Sequence, residues 1–136
     1  DHPMLTYRYA NGATMFRDGA NGVLFTGTEG KVEVNRGHFK TWPDSIGQEP
    51  IGPNEVHLYE STDHGQDWLN CIRTRGRPIC DVEIGCRSVT VCHLGNIACW
   101  LNRPIRWDPV REEILDDAEA ARWLDRPKRA PWRMYV

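Results

Sequence analysis

His64 has the residue type and the setting for chemistry. It stands beside Asp63 and one turn before Asp67, where the sequence reads as a helix start. A histidine there can act as a general acid or base, or touch a substrate hydroxyl. It can equally be a helix-start residue engaged with its own neighbours. His64 is the candidate substrate-binding residue. His57 lies seven residues earlier, in what reads as a strand. His57, His64 and Asp67 together have the ligand types for a metal site, which would make this a small metal-dependent enzyme. His93 falls mid-helix among apolar residues and reads as a satisfied core histidine.

Other constellations carry less. Cys71, Cys80, Cys86, Cys92 and Cys99 are five, so they cannot all pair, and none forms Cys-x-x-Cys. On a helix Cys92 and Cys99 share a face that Cys86 does not, which suits no common metal. They read as buried apolar thiols in a reducing setting, which favours the cytoplasm. Gly27-Thr28-Glu29-Gly30-Lys31 looks superficially like a phosphate loop, but the spacing is short and Val32 stands where a hydroxyl is needed. None of the 12 glycines makes Gly-x-Gly-x-x-Gly, and there is no Gly-x-Ser-x-Gly elbow. Glu112, Glu113, Asp116, Asp117 and Glu119 mingle with Arg111, Arg122, Arg126, Lys128 and Arg129, the pattern of an ion-paired surface. No catalytic, cofactor-binding or metal-binding residue is assigned.

The elements that position these residues change character along the chain. Residues 1–42 read as strands. Leu5–Tyr9 alternates, Asn11-Gly12 turns, and Ala13–Phe16 returns. Gly22–Gly27, Lys31–Asn35 and His38–Trp42 follow, separated by short turns. Residues 43–60 read as a loop and a strand. Pro43–Pro53 holds three prolines and two glycines, which excludes helix and central strand there. Residues 61–136 read as helices and a tail. Ser61, Thr62 and Asp63 offer cap oxygens to a helix with a Trp68, Leu69, Ile72 stripe, stopped by Gly76 and Pro78. Asp81 caps a longer helix reaching about Leu101, with apolar residues on more than one side and Gly85 and Gly95 offering close approach to another backbone. Pro104 ends it, Ile105–Trp107 is extended, and Asp116 and Asp117 cap a last helix from Ala118 to Leu124. Trp100, Trp107, Trp123 and Trp132 are expected to pin this last helix and the tail to the core. The order of elements predicts a single α+β domain over 1–136, an open-faced antiparallel sheet with helices on one face.

Composition bounds the function. With 136 residues, 40% hydrophobic and 26% charged, the chain matches an ordinary globular domain. A net charge of −2 lacks the basic footprint that nucleic acid or a membrane surface requires. No apolar run approaches the ~20 residues of a spanning helix. Asp1 rather than Met at the start leads us to expect upstream sequence.

The ordered set of segments resembles a known family. Gly22–Gly30, His64 with Trp68–Arg73, Asp81–Ser88, His93–Ala98, Ile105–Asp108 and Arg126–Trp132 are similar to the C-terminal domain of the glucose-fructose oxidoreductase, inositol dehydrogenase and rhizopine-catabolism (Gfo/Idh/MocA) oxidoreductases of bacteria. The resemblance implies an N-terminal Rossmann domain that binds NAD or NADP and carries a Glu-Lys-Pro catalytic lysine. It implies a C-terminal domain that shapes the pocket for a sugar or cyclitol and forms a homo-oligomer through its open sheet face. The Rossmann fingerprint, the Glu-Lys-Pro motif and the family's aspartate-to-histidine catalytic segment would all precede Asp1, so none of the family's catalytic positions maps onto this chain. The alternative is a free-standing sugar-binding or assembly module.

Overall fold

The computed structural model describes residues 4–19 and 21–131. The chain divides into two compact units, Asp1–Thr62 and Asp63–Val136. The division falls where the sequence pattern changes from strands to helices. The fold is α+β, with antiparallel strands throughout, gathered into three small sheets rather than one.

The first unit opens with a hairpin, β1 (Leu5–Arg8) and β2 (Thr14–Arg17), in which Leu5 faces Arg17 and Arg8 faces Thr14. Gly12 takes φ +89° in its turn, and the Asn11 side chain accepts a bond from the Ala13 amide at 3.0 Å. A three-stranded meander follows: β3 (Val23–Thr26), β4 (Lys31–Asn35) and β5 (His38–Trp42). The register sets Val23, Val34 and Phe39 in one row and Phe25, Val32 and Thr41 in the next, all on one face. The opposite face carries Lys31, Glu33 and Lys40, with the Lys40 ammonium 4.9 Å from the Trp42 ring centre. The apolar face is largely bare: Phe25 is 60% exposed and Phe39 63%.

Inside the supposed loop a single helical turn forms, α1 (Ser45–Gln48). It is held by Ile46 N–H to the Pro43 carbonyl at 3.2 Å and by Gly47 N–H to the Thr41 hydroxyl at 3.2 Å. The prolines therefore frame a helical turn instead of forbidding one. The strand expected around His57 does not form; residues 56–60 have no regular structure.

Gly30 acquires a different role from the one its motif suggests. Gly27-Thr28-Glu29-Gly30 is the β3–β4 turn, closed by Gly27 N–H to the Gly30 carbonyl at 2.8 Å. A Cβ at position 30 would lie 2.2 Å from the Trp42 carbonyl oxygen and 2.5 Å from Ile46. Glycine is required by a backbone crossing, not by a phosphate. Gly30→Ala is expected to destabilise the first unit by about 1–3 kcal/mol, the usual cost of overpacking. Urea titration followed by circular dichroism measures this; an unchanged midpoint would mean that the turn moves freely away from β5.

The second unit begins with α2 (His64–Thr74) and α3 (Val82–Leu101). Asp63 caps α2 by accepting from Gln66 N–H at 2.9 Å. The helix stops one residue earlier than the glycine rule suggests, with Arg75 in the left-handed region at φ +59°. Asp81 caps α3 by accepting from Glu83 N–H at 2.9 Å and is itself gripped by Arg77 at 2.9 Å. Asn102, at φ +50°, ends α3, its N–H directed at the Ala98 and Cys99 carbonyls. A hairpin of β6 (Arg106–Asp108) and β7 (Glu113–Leu115) follows, pairing Trp107 with Ile114. Then come α4 (Ala118–Ala121) and a 3-10 turn, Arg122–Leu124. Asp117 alone caps α4, accepting from Ala120 N–H at 3.0 Å, while Asp116 pairs with Arg106 at 3.2 Å.

The core of this unit is small. Ile97, Ile114 and Ala120 are buried, ringed by Leu94, Leu101, Ile105, Trp107 and Ala121. Only the C-terminal half of α3 reaches it. In the N-terminal half Val82 is 84% exposed and Ile84 52%, and nothing comes within 4 Å of a Cβ built on Gly85. The close approach expected at Gly85 is therefore absent among the described residues. Cys80, Cys86 and Cys92 are exposed for the same reason, a correction to their expected burial; Cys71 and Cys99 are half-buried, and all five are free. Trp132 lies outside the described residues. The whole chain exposes 12473 Å². Two compact domains of half its mass each would expose about 8,800 Å² between them.

Candidate functional site

His64 is the first residue of α2 and is exposed. Helix geometry puts its side chain on the first turn, but its acidic neighbours are engaged elsewhere. Asp63 is the cap of the helix. Asp67, 9% exposed, turns inward and accepts from Ile79 N–H at 2.9 Å, with the Cys71 thiol 3.9 Å from its other oxygen. Asp67 thus ties α2 to the segment that leads into α3, a structural task. Burial pushes the Cys71 thiol pKa up, and the Asp67 charge and hydrogen bond push it further. That is the reverse of what a reactive thiolate needs.

His57, His64 and Asp67 are divided between the two units. His57 belongs to the first unit, where its Nε2 lies 2.9 Å from the Gly52 carbonyl oxygen. Among the described residues no group of three or more His, Cys, Asp or Glu side chains is placed to hold a metal ion. His93 is exposed, not a core histidine, because α3 is uncovered on that side.

The acidic and basic residues near the C-terminus do form an ion-paired surface. Arg103 bridges Asp117 at 2.9 Å and Glu119 at 2.8 Å. These bonds hold the Asp117 carboxyl below the usual carboxylate range, with Arg103 the largest cause and the Ala120 amide the next. Arg87 spans from α3 to the β6–β7 turn, donating to the Pro109 carbonyl at 2.7 Å and lying 3.6 Å from Glu112. Asp108 organises that turn by accepting from the Val110 and Arg111 amides at 2.9 and 3.1 Å. Its pKa is lowered by these two backbone bonds, the Arg111 amide first.

These contacts frame a concave feature that the sequence pattern did not reveal. A groove of about 940 Å³ runs along α3 beside the 3-10 turn and the segment after it. Trp100 and Trp123 form its aromatic wall, their ring centres 5.1 Å apart and tilted by 44°. The contact ties the 3-10 turn to α3, as expected of these tryptophans, but it does so at the surface, with the two indoles 56% and 50% exposed. Trp107 does join the core. The signal available in sequence was the spacing of His93 and Trp100, seven apart on α3 and hence on one face.

Residues 2–134 match the oxidoreductase family, C-terminal alpha/beta domain, and the chain belongs to this family of Gfo/Idh/MocA C-terminal domains. No curated protein and no solved structure matches the chain. No helix among the described residues is long and apolar enough to cross a membrane.

Proposed function

We propose that the chain is the substrate-side and subunit-contact domain of an NAD(P)-dependent oxidoreductase acting on a sugar or cyclitol. It does not catalyse alone. An N-terminal Rossmann domain holds the NAD or NADP and supplies the catalytic lysine. His64, exposed at the head of α2, is the residue we assign to substrate contact. The family match over residues 2–134 supports the oxidoreductase context.

The observation that carries the contact role is the bare apolar face of the first unit. Val23, Phe25 and Phe39 stand 53%, 60% and 63% exposed on one side of the β3–β5 sheet, while Lys31, Glu33 and Lys40 share the other with Leu24 and Trp42. Contiguous apolar surface of this kind marks an interaction site. Burying it against a second copy gives a homo-oligomer through the sheet. Sedimentation at several concentrations tests this. A dimer or larger species is expected. A single monomer at the highest soluble concentration would overturn the contact role and favour the free-standing sugar-binding module.

A further inference from the structure

Asparagine followed by glycine occurs twice in the chain, at Asn11-Gly12 and Asn21-Gly22, each time after an alanine, and both pairs are exposed. The dipeptide has a chemistry of its own. Glycine has no Cβ to keep its amide nitrogen away from the preceding carboxamide. Once deprotonated, that nitrogen can attack the carboxamide carbon and close a five-membered succinimide. The structure treats the two pairs differently.

At Asn11-Gly12 both reacting groups are engaged. The Gly12 N–H donates to the Tyr9 carbonyl at 3.0 Å, and the Asn11 Oδ1 accepts from the Ala13 N–H at 3.0 Å. Attack must break the first bond, while the second fixes the carboxamide in its turn.

At Asn21-Gly22 neither group is engaged. Gly27 N–H to the Gly30 carbonyl closes the β3–β4 turn, and bonded and non-bonded pairs alternate along the ladder from there. In that register Val23 and Val34 are a bonded pair, and Gly22 faces Asn35 as a non-bonded one. β3 is an edge strand, so the Gly22 N–H points away from β4, where no strand follows. Among the described residues it has no acceptor, and the Asn21 carboxamide has no hydrogen bond. The Asn21 main-chain carbonyl, in contrast, accepts from Asn35 Nδ2 at 3.3 Å. When the Gly22 nitrogen loses its proton, the negative charge spreads through the same peptide group onto that oxygen. The Asn35 donor is already aimed at the place where the charge develops.

We infer that Asn21 is a self-modification site, converted to aspartate and isoaspartate through a succinimide, with Asn35 as the positioning residue. Water takes the Gly22 amide proton and the nitrogen bonds to Asn21 Cγ. The Cγ–Nδ2 bond breaks, and ammonia leaves after regaining a proton from water. Water then opens the ring at either carbonyl. Nothing is oxidised or reduced: a water is consumed, an ammonia is released and a negative charge is gained. The charge, and in the iso form an extra main-chain carbon, enters two residues before Val23, where β3 pairing begins. The inference rests on this hairpin alone and not on the oxidoreductase reading.

The test incubates the whole chain in mildly alkaline buffer and follows both sites over time by mass spectrometry. Trypsin separates them into the peptides Tyr9–Arg17 and Asp18–Lys31. Digestion in heavy-oxygen water labels any conversion that arises during digestion. In the folded chain Asn21 is expected to convert about tenfold faster than Asn11, the ratio that one ordinary hydrogen bond to the nucleophile allows. In urea, where both pairs are freed, the rates should converge. Asn35→Asp keeps the side-chain shape but removes the donor, and should slow Asn21 by about two- to tenfold while Asn11 keeps its rate. Equal rates in the folded chain, faster conversion at Asn11, a ratio that persists in urea, or an unchanged Asn21 rate in Asn35→Asp would each overturn the inference.

Discussion

Ile97→Ala is expected to unfold the second unit or bring it close to unfolding. Ile97 is 2% exposed and meets Ile114 and Ala120 at the only fully packed point among the described residues of this unit. Removing its outer carbons loses transfer free energy and leaves a cavity, at a cost of about 2–5 kcal/mol. Whole domains hold only about 5–15 kcal/mol of stability, and this unit has little else buried to draw on. Val82→Ala supplies the contrast. At 84% exposure it should shift stability by less than about 0.5 kcal/mol. Urea midpoints of the two variants separate the cases. Equal, small shifts would mean that Ile97 is not the keystone of this core.

Phe39→Asp should have little effect on the folded chain and a large effect on its association. The ring is 63% exposed, so the isolated chain loses little by its removal. In a sheet-to-sheet dimer the same ring would be buried, and each phenylalanine so buried contributes about 1.5–3 kcal/mol. A two-fold interface counts the change twice, which weakens the dimer by about a hundredfold or more. Introducing aspartate adds like-charge repulsion across the axis. Lys40→Gln, on the opposite face, should leave association as it is. Analytical ultracentrifugation of the two variants decides the matter. A dimer that tolerates Phe39→Asp but not Lys40→Gln would place the contact on the polar face.

The local elements were legible because their causes are local. The β4 alternation, the Asn11-Gly12 turn and the Asp63, Asp81 and Asp117 caps each depend on a few adjacent residues, and all formed where the sequence placed them. β7 escaped notice because Glu113–Leu115 is too short to show a period and exists only as the partner of β6. α1 escaped because its stability comes from β5, through the Thr41 hydroxyl and the surface that Gly30 leaves open. Burial was the least legible property. The cysteines, Trp100 and Trp123 have the composition of a core, and composition does not say which side of a helix another element covers. Of the candidate site, His64 and its helix start were readable; the inward turn of Asp67 was not, since its partner is the amide of Ile79, twelve residues away. The groove joins α3 to a segment some thirty residues later, beyond the reach of any periodic pattern.

Calorimetric titration of the purified chain with NADH and NADPH tests the central claim most directly. Pyrophosphate binding needs glycines at fixed spacing before a helix N-terminus. Here the nearest approximation, Gly27 to Lys31, is a hairpin turn closed by its own backbone. A contact domain whose cofactor is held by another domain should show no saturable heat with either nucleotide. A micromolar dissociation constant for NADH or NADPH would contradict it, and would mean that this chain holds the cofactor itself.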